Sequence, residues 1–256
     1  RNKLVKSYVK FIRIIKPEAI LFENVHGFTV KFKQADGKGK KYSNYVINAL
    51  HRAGYKTAYK IVDMSEFGIP QNRKRFILVA MKNHDPNEVF KILYNNRNCF
   101  LKGKNISVPV SAEDAIGDLK KLYGIVDSPD TKNFKAGIYG PITSTYQSLL
   151  RTNANSALGN AVDSHRFVNH SEKIVKLHVD LLNHAERGKR ITPKDNIVSG
   201  LKRRGVTLLD KNKPVPTLTS IPDELVHYEE PRILTVREYA RVQSFPDWFQ
   251  FKGKYT

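Results

Sequence analysis

Five side chains in the first eighty residues are of the kinds that move a proton or hold a developing charge. Glu23 and Asn24 close a short apolar run, Ala19-Ile20-Leu21-Phe22, with Gly27 just beyond. Gln71, Arg73 and Arg75 alternate with Asn72 and Lys74 ahead of a second apolar run, Phe76-Ile77-Leu78-Val79-Ala80. Successive side chains of a strand point to opposite faces, so Arg73 and Arg75 are expected on one face and Lys74 on the other. A carboxyl group can give or share a proton at a reacting centre. A guanidinium can stabilise negative charge that grows during a reaction, above all where water is scarce.

Regular elements must position these groups. Residues 3–16 read as an amphipathic helix, with Leu4, Tyr8, Phe11, Ile12 and Ile15 at spacings of three and four, stopped by Pro17. A strand over 19–22 follows and ends at Glu23-Asn24-Val25. Lys38-Gly39-Lys40-Lys41 reads as a loop. A helix is expected over 42–53, closed by Gly54, then strands over 55–62 and 76–80. This rhythm is that of a doubly wound α/β domain. Ligands bind such sheets outside the carboxyl ends of the strands, where Glu23 and Asn24 are placed. From about residue 100 to 215 the pattern loosens, and a less regular domain is expected there, with one helical stretch near 171–186. Order resumes after Thr217. A helix over 235–244 should be capped by Thr235, with Glu238 completing a capping box, and should end at Phe245-Pro246-Asp247. No internal repeat or low-complexity tract is present.

The chain has 256 residues, of which 44 are Lys or Arg and 24 Asp or Glu, a net charge of +20. That excess points to a polyanionic partner, nucleic acid first. A membrane partner is not expected, because no apolar run approaches spanning length and no basic amphipathic helix free of acids stands out. The single cysteine, Cys99, excludes an internal disulfide and suits a reducing cytoplasm. No metal site is expected. The histidines lack ligand spacing, and His165, His170 and His178 read as loop or core residues.

Four runs carry a resemblance. Glu23-Asn24-Val25, Gln71-Asn72-Arg73-Lys74-Arg75, Pro216-Thr217-Leu218-Thr219 and the stretch Arg232–Phe249 (RILTVREYARVQSFPDWF) resemble, in order and spacing, the C-terminal blocks of the DNA cytosine-5 methyltransferases. The opening stretch resembles that family's approach to its ENV block, and Ser111–Leu119 resembles a linker of its bacterial members. The likeness covers 1–119 and 214–253. It implies a partial Rossmann-like methyltransferase core, an α/β fold, with a smaller irregular target-recognition domain. The expected division is 1–100 for the catalytic part, 101–215 for target recognition and 216–256 for a return segment.

The resemblance also implies a chemistry. A cysteine thiolate adds to carbon-6 of cytosine, and carbon-5 then takes a methyl group from S-adenosylmethionine. Glu23 would meet ring N3, Arg75 would face O2, and Arg73 would hold Glu23 or neighbouring backbone, with Asn24 and Gln71 lining the substrate. The base must leave double-stranded DNA, so phosphate grips are needed. Lys202, Arg203 and Arg204, beside Gly205, and Thr217 and Thr219 are the candidates. Arg232, Arg237 and Arg241 are expected to pack and cap rather than react, and Phe245 and Trp248 to be core. The family's Pro-Cys and Gly-rich cofactor blocks are not found, and Cys99 sits in the wrong context to replace the thiol. Gly159-Asn160-Ala161-Val162 imitates a further block but precedes Pro216–Thr219 and is read as a decoy. The chain alone is therefore expected to be inactive, with the donor bound mainly by residues outside it and a complementary subunit or N-terminal part completing it. The implied setting is bacterial restriction–modification, in the cytoplasm with the nucleoid. A non-catalytic specificity subunit and an RNA methyltransferase of the same fold remain as alternatives.

Overall fold

A computed structural model describes residues 2–33, 39–154, 161–201 and 205–253. The chain divides into two compact units, Arg1–Met64 with Arg73–Phe100, and Ser65–Asn72 with Leu101–Thr256.

In the first unit, helix α1 (Asn2–Ile15) leads into strand β1 (Ala19–Val25). A small hairpin of β2 (Phe32–Lys33) and β3 (Gly39–Lys40) follows, where Gly39 and Lys40 had been expected in a loop. Then come α2 (Tyr42–His51), β4 (Lys56–Asp63), β6 (Lys74–Met81) and most of α3 (Asn87–Gly103); β5 (Gln71–Asn72) belongs to the second unit. The sheet order is β1-β6-β4, with β6 antiparallel to both neighbours. β1 and β4 therefore run parallel, with α2 in the crossover between them, as a Rossmann-like core requires. The sheet's inner face packs Ile20, Phe22, Phe76, Leu78 and Ala80 against Ile12 of α1 and Val46 and Leu50 of α2. Phe76 sits at the centre, its ring 6.3 Å from Phe22 and 5.7 Å from Phe28. On the other face Phe90 of α3 meets Ala58 and Val79.

Two expectations change here. β1 is longer than the apolar run suggested, because Glu23, Asn24 and Val25 pair with Ile77, Phe76 and Arg75 of β6. α1 is basic and free of acids (NKLVKSYVKFIRII), contrary to the expectation that no such segment exists. No helix among the described residues is long and apolar enough to cross a membrane.

The second unit holds α4 (Ala112–Ile116), α5 (Thr145–Arg151), α6 (Glu172–His184) and α7 (Val236–Val242). Its sheets are small: β7 (Ile125–Asp127), β8 (Lys135–Ile138) and β9 (Ala161–Arg166) in order, and β11 (Val206–Leu208) between β10 (Arg190–Ile191) and β13 (Leu225–Val226). β12 (Val215–Pro216) pairs in parallel with β5. Residues 111–119, read as a linker, are core-forming. Ser111 and Asp114 make a capping box, and Ala112, Ala115, Ile116 and Leu119 are fully buried. Val162 of the decoy run is buried in β9; Gly159 and Asn160 lie outside the described residues.

Buried charge organises this unit. Thr235 caps α7 and Glu238 completes the box as expected. Arg241, fully buried, donates to Asp247 at 3.0 and 2.6 Å, to Asp118 and to the Ala115 carbonyl at 3.1 Å. Arg237 bonds Asp163 at 2.8 Å and the Phe249 carbonyl at 2.8 Å. Arg232 grips Glu238 through two bonds of 2.7 Å. Burial alone would raise the Glu238 carboxyl, but the Arg232 guanidinium outweighs it and holds the group at about 2. His165, enclosed and bonded to Thr235 and to the Leu119 carbonyl, is pushed down to about 4 by burial.

Two outcomes follow. Arg241→Leu leaves two carboxylates buried without their cation and should cost about 3–5 kcal/mol in urea unfolding. Stability should fall as the pH drops from about 6.5 towards 4, because unfolded His165 takes a proton that the folded state refuses, and fall further below about 4.5 as Glu238 is protonated only when unfolded. Melting temperatures read across that range check the sign; a rise on acidification would contradict it.

Candidate active site

The β1–β6 register builds the site. Glu23 opposes Ile77 and Val25 opposes Arg75, so Glu23 and Arg75 lie on one face as diagonal neighbours. Arg75 Nε stands 2.9 Å from Glu23 Oε1, and its Nη1 donates to the Lys74 carbonyl at 2.9 Å. The arginine side chain is 10% exposed and the carboxylate 54%. A buried cation thus presents an acid to an open surface.

Arg73 is not in the strand. It occupies the break between β5 and β6, where its carbonyl accepts from the Met64 N–H at 3.0 Å. It still belongs to the cluster. Partial burial, and then the charge of Arg75, push its guanidinium below the ordinary value, and Glu23 offsets part of that. Two guanidiniums around one carboxylate leave an excess positive charge aimed at whatever the face receives. Arg73, expected to hold Glu23 or neighbouring backbone, acts on it electrostatically, and Arg75 contacts it directly. The register explains this, since Arg75 lies inside the paired strand one step from Glu23. Lys74 takes the other direction and reaches Asp63 at 4.0 Å.

The remaining candidates are placed as follows. Asn24 shares β1 with Glu23, and its side-chain oxygen accepts from the Val25 N–H at 2.9 Å. Gln71 is fully buried on β5 in the second unit, opposite Val215. Thr217 donates to the Asn72 carbonyl, tying β12 to β5, and Thr219 donates to Glu224 at 3.0 Å within its own turn. Lys202, Arg203 and Arg204 lie outside the described residues. Phe245 and Trp248 are not core: they are 36% and 53% exposed and form an aromatic cluster with Phe249 and Phe251. Arg237 and Asp247 claim the interior of this turn, so its rings face outward. Cys99 is exposed on α3. No group of three or more possible metal ligands occurs among the described residues.

Sequence reading also missed a cavity of about 1270 Å³ in the second unit, lined in part by His170, His178, Lys194, Asp223 and Glu224. Its two histidine rings meet edge to face at 5.1 Å, and burial lowers both below the usual imidazole value. Their eight-residue spacing alone gave no sign of this meeting.

Comparison with known proteins bears on this arrangement. Residues 1–256 match the family of C-5 cytosine-specific DNA methylases. The chain is 27% identical, over 98% of its length, to the type II methyltransferase M.XorII of Xanthomonas oryzae pv. oryzae, covering 56% of that protein. It is 26% identical, over its whole length, to M.DdeI of Desulfomicrobium norvegicum, covering 59%. It thus spans little more than half the length of these relatives. A prophage-encoded DNA modification methyltransferase of E. coli shares the fold, with a TM-score of 0.60 at 21% identity over 95% of this chain and 64% of that one.

Glu23→Gln should change the unfolding free energy by no more than about 1 kcal/mol, the range of half-exposed ion pairs. Urea titration of the variant beside the parent checks this.

Proposed function

Because the chain belongs to the family of C-5 cytosine-specific DNA methylases, we propose that it forms the acid- and arginine-bearing part of a DNA cytosine-5 methyltransferase of restriction–modification type. The observation that carries this reading is the 2.9 Å contact between Arg75 and Glu23 on one face of the sheet. Residues 1–100 supply that catalytic part, 101–215 target recognition and 216–256 the return segment.

The substrate is a cytosine extruded from double-stranded DNA, since ring attack is impossible within the stack. Addition of a nucleophile to carbon-6 drives negative charge toward N3 and O2. Glu23 Oε2 shares a proton with N3 while Arg75 fixes the other carboxyl oxygen. Arg75 Nη2 is directed to O2, and Arg73 adds positive potential. Asn24 keeps the end of β1 in shape. Gln71 serves the substrate, and Lys202, Arg203 and Arg204, which lie outside the described residues, serve phosphate together with Thr217 and Thr219. The net charge of +20 supplies long-range attraction for the duplex.

The methyl donor the family implies is S-adenosylmethionine. Donor and thiol are assigned to residues outside this sequence, Cys99 being exposed on a helix.

In an enzyme completed with those parts, Glu23→Gln should lower kcat about 10²–10⁴-fold and Arg75→Ala about 10²–10³-fold, with duplex affinity little changed. Single-turnover methyl transfer and filter binding on the same preparations check both. Loss of binding instead of turnover would overturn the assignment.

A further inference from the structure

Helix α3 carries an apolar strip that faces away from its own unit. Phe90 turns inward and is buried against the sheet. Tyr94 and Arg97 follow it on the inner side at spacings of four and three, with the Lys60 ammonium 4.8 Å from the Tyr94 ring. Ile92, Leu93, Asn96, Cys99 and Phe100 recur at helical spacing on another arc. Ile92 is 58%, Leu93 39% and Phe100 56% exposed, and Asn96 and Cys99 are exposed as well. Lys91 and Lys102 keep to an arc of their own, so the strip carries no charge. A contiguous exposed apolar strip of this kind marks an interaction site.

The strip has the same pattern from either end. Asn96 stands at its centre, with Leu93 and Cys99 three residues to either side and Ile92 and Phe100 four. An identical helix laid antiparallel against it, with both Asn96 residues on the two-fold axis, sets Ile92 against the partner's Phe100 and Leu93 against the partner's Cys99, twice over. From Ile92 to Phe100 this seam runs about 12 Å, at roughly 1.5 Å per residue. A polar asparagine inside an apolar seam fixes register at some cost in stability, and here its amide can bond its own copy. Charge follows the same symmetry. Glu88 is the only acid of α3 and lies in its first turn, where it also holds Lys91, whereas Lys102 lies in the last turn. Antiparallel packing brings Glu88 to the partner's Lys102 at both ends; parallel packing would set like charges together.

We propose that the outer strip of α3 is a self-association surface, and that its occupant is the α3 of a second copy of this chain, related by a two-fold axis at Asn96. The pair is weak. One helix from each copy buries an area at the low end of specific interfaces, and two chains of net charge +20 repel each other. Salt therefore strengthens the association by screening that repulsion, opposite to its effect on a nucleic-acid complex. A polyanion that holds two copies acts in the same direction by neutralising both. The surface does not rest on the function proposed above.

The test is sedimentation equilibrium of the nuclease-treated 256-residue chain in salt of about 0.1 and about 1 M, across which the screening length falls from about 10 to about 3 Å. A monomer–dimer equilibrium that tightens with salt is expected. Ile92→Asp and Phe100→Asp should each weaken the dimer at least about tenfold. Both side chains are exposed, so circular-dichroism melting of the variants should match the parent. Cross-linking reads the register. In a Cys99→Ser background, Asn96→Cys puts two thiols at the axis and should give a disulfide-linked dimer under mild oxidation, whereas Asn98→Cys, off the strip, should not. The two Cys99 thiols of the parent dimer are set about 9 Å apart along the seam and should stay free. A chain that is monomeric at both salt concentrations would overturn the proposal. So would a dimer that ignores both aspartates, a dimer that salt dissolves, or an Asn96→Cys variant that cross-links no better than Asn98→Cys.

Discussion

The antiparallel register of β1 against β6 is the constraint on which the site depends. Val25 faces Arg75 and Glu23 faces Ile77, so acid and guanidinium project from one face and meet diagonally. Side chains alternate with a period of two, and a slip of one residue would send Glu23 into the core and Phe22 to the surface. The aromatic packing of Phe22, Phe28 and Phe76 on the opposite face makes that slip costly. The core therefore sets the site's geometry without touching it.

The second unit uses a different device. Its helices are short and its sheets have two or three strands, so apolar layers alone give little orientation. Arg237 and Arg241 supply it by joining α7 to Asp163 and Asp118, distant in sequence, while Arg232 holds the first turn of α7 through Glu238. Fully buried pairs of this kind add little net stability over apolar packing, but each fixes a direction that a leucine would leave open. The same constraint turns Phe245 and Trp248 outward, since Asp247 between them is drawn inside.

Much of this was legible from residue types. Spacing of three and four marked α1, α2 and α6, and Thr235 with Glu238 marked the start of α7. The alternation of arginines before an apolar run marked a charged face. What escaped was pairing. Nothing local says that Glu23 continues β1 or that Arg75 reaches it, because both follow from which strand lies alongside. Phe245 and Trp248 were misplaced because hydrophobicity ranks them as core, while the arginine that displaces them comes from α7. Ser111–Leu119 was misplaced because its small residues look like a linker until their buried neighbours are known. The meeting of His170 and His178 depends on how a loop returns to α6.

The central claim is that one acid and one arginine on adjacent strands address a single extruded cytosine. The most direct measurement is the distance from the Glu23 carboxyl to ring N3 in a crystal structure of the completed enzyme trapped on duplex DNA. The account predicts hydrogen-bonding distance, roughly 2.6–3.2 Å, with the Arg75 guanidinium at O2. A base held by other side chains, with Glu23 still paired to Arg75 and remote from the ring, would contradict it.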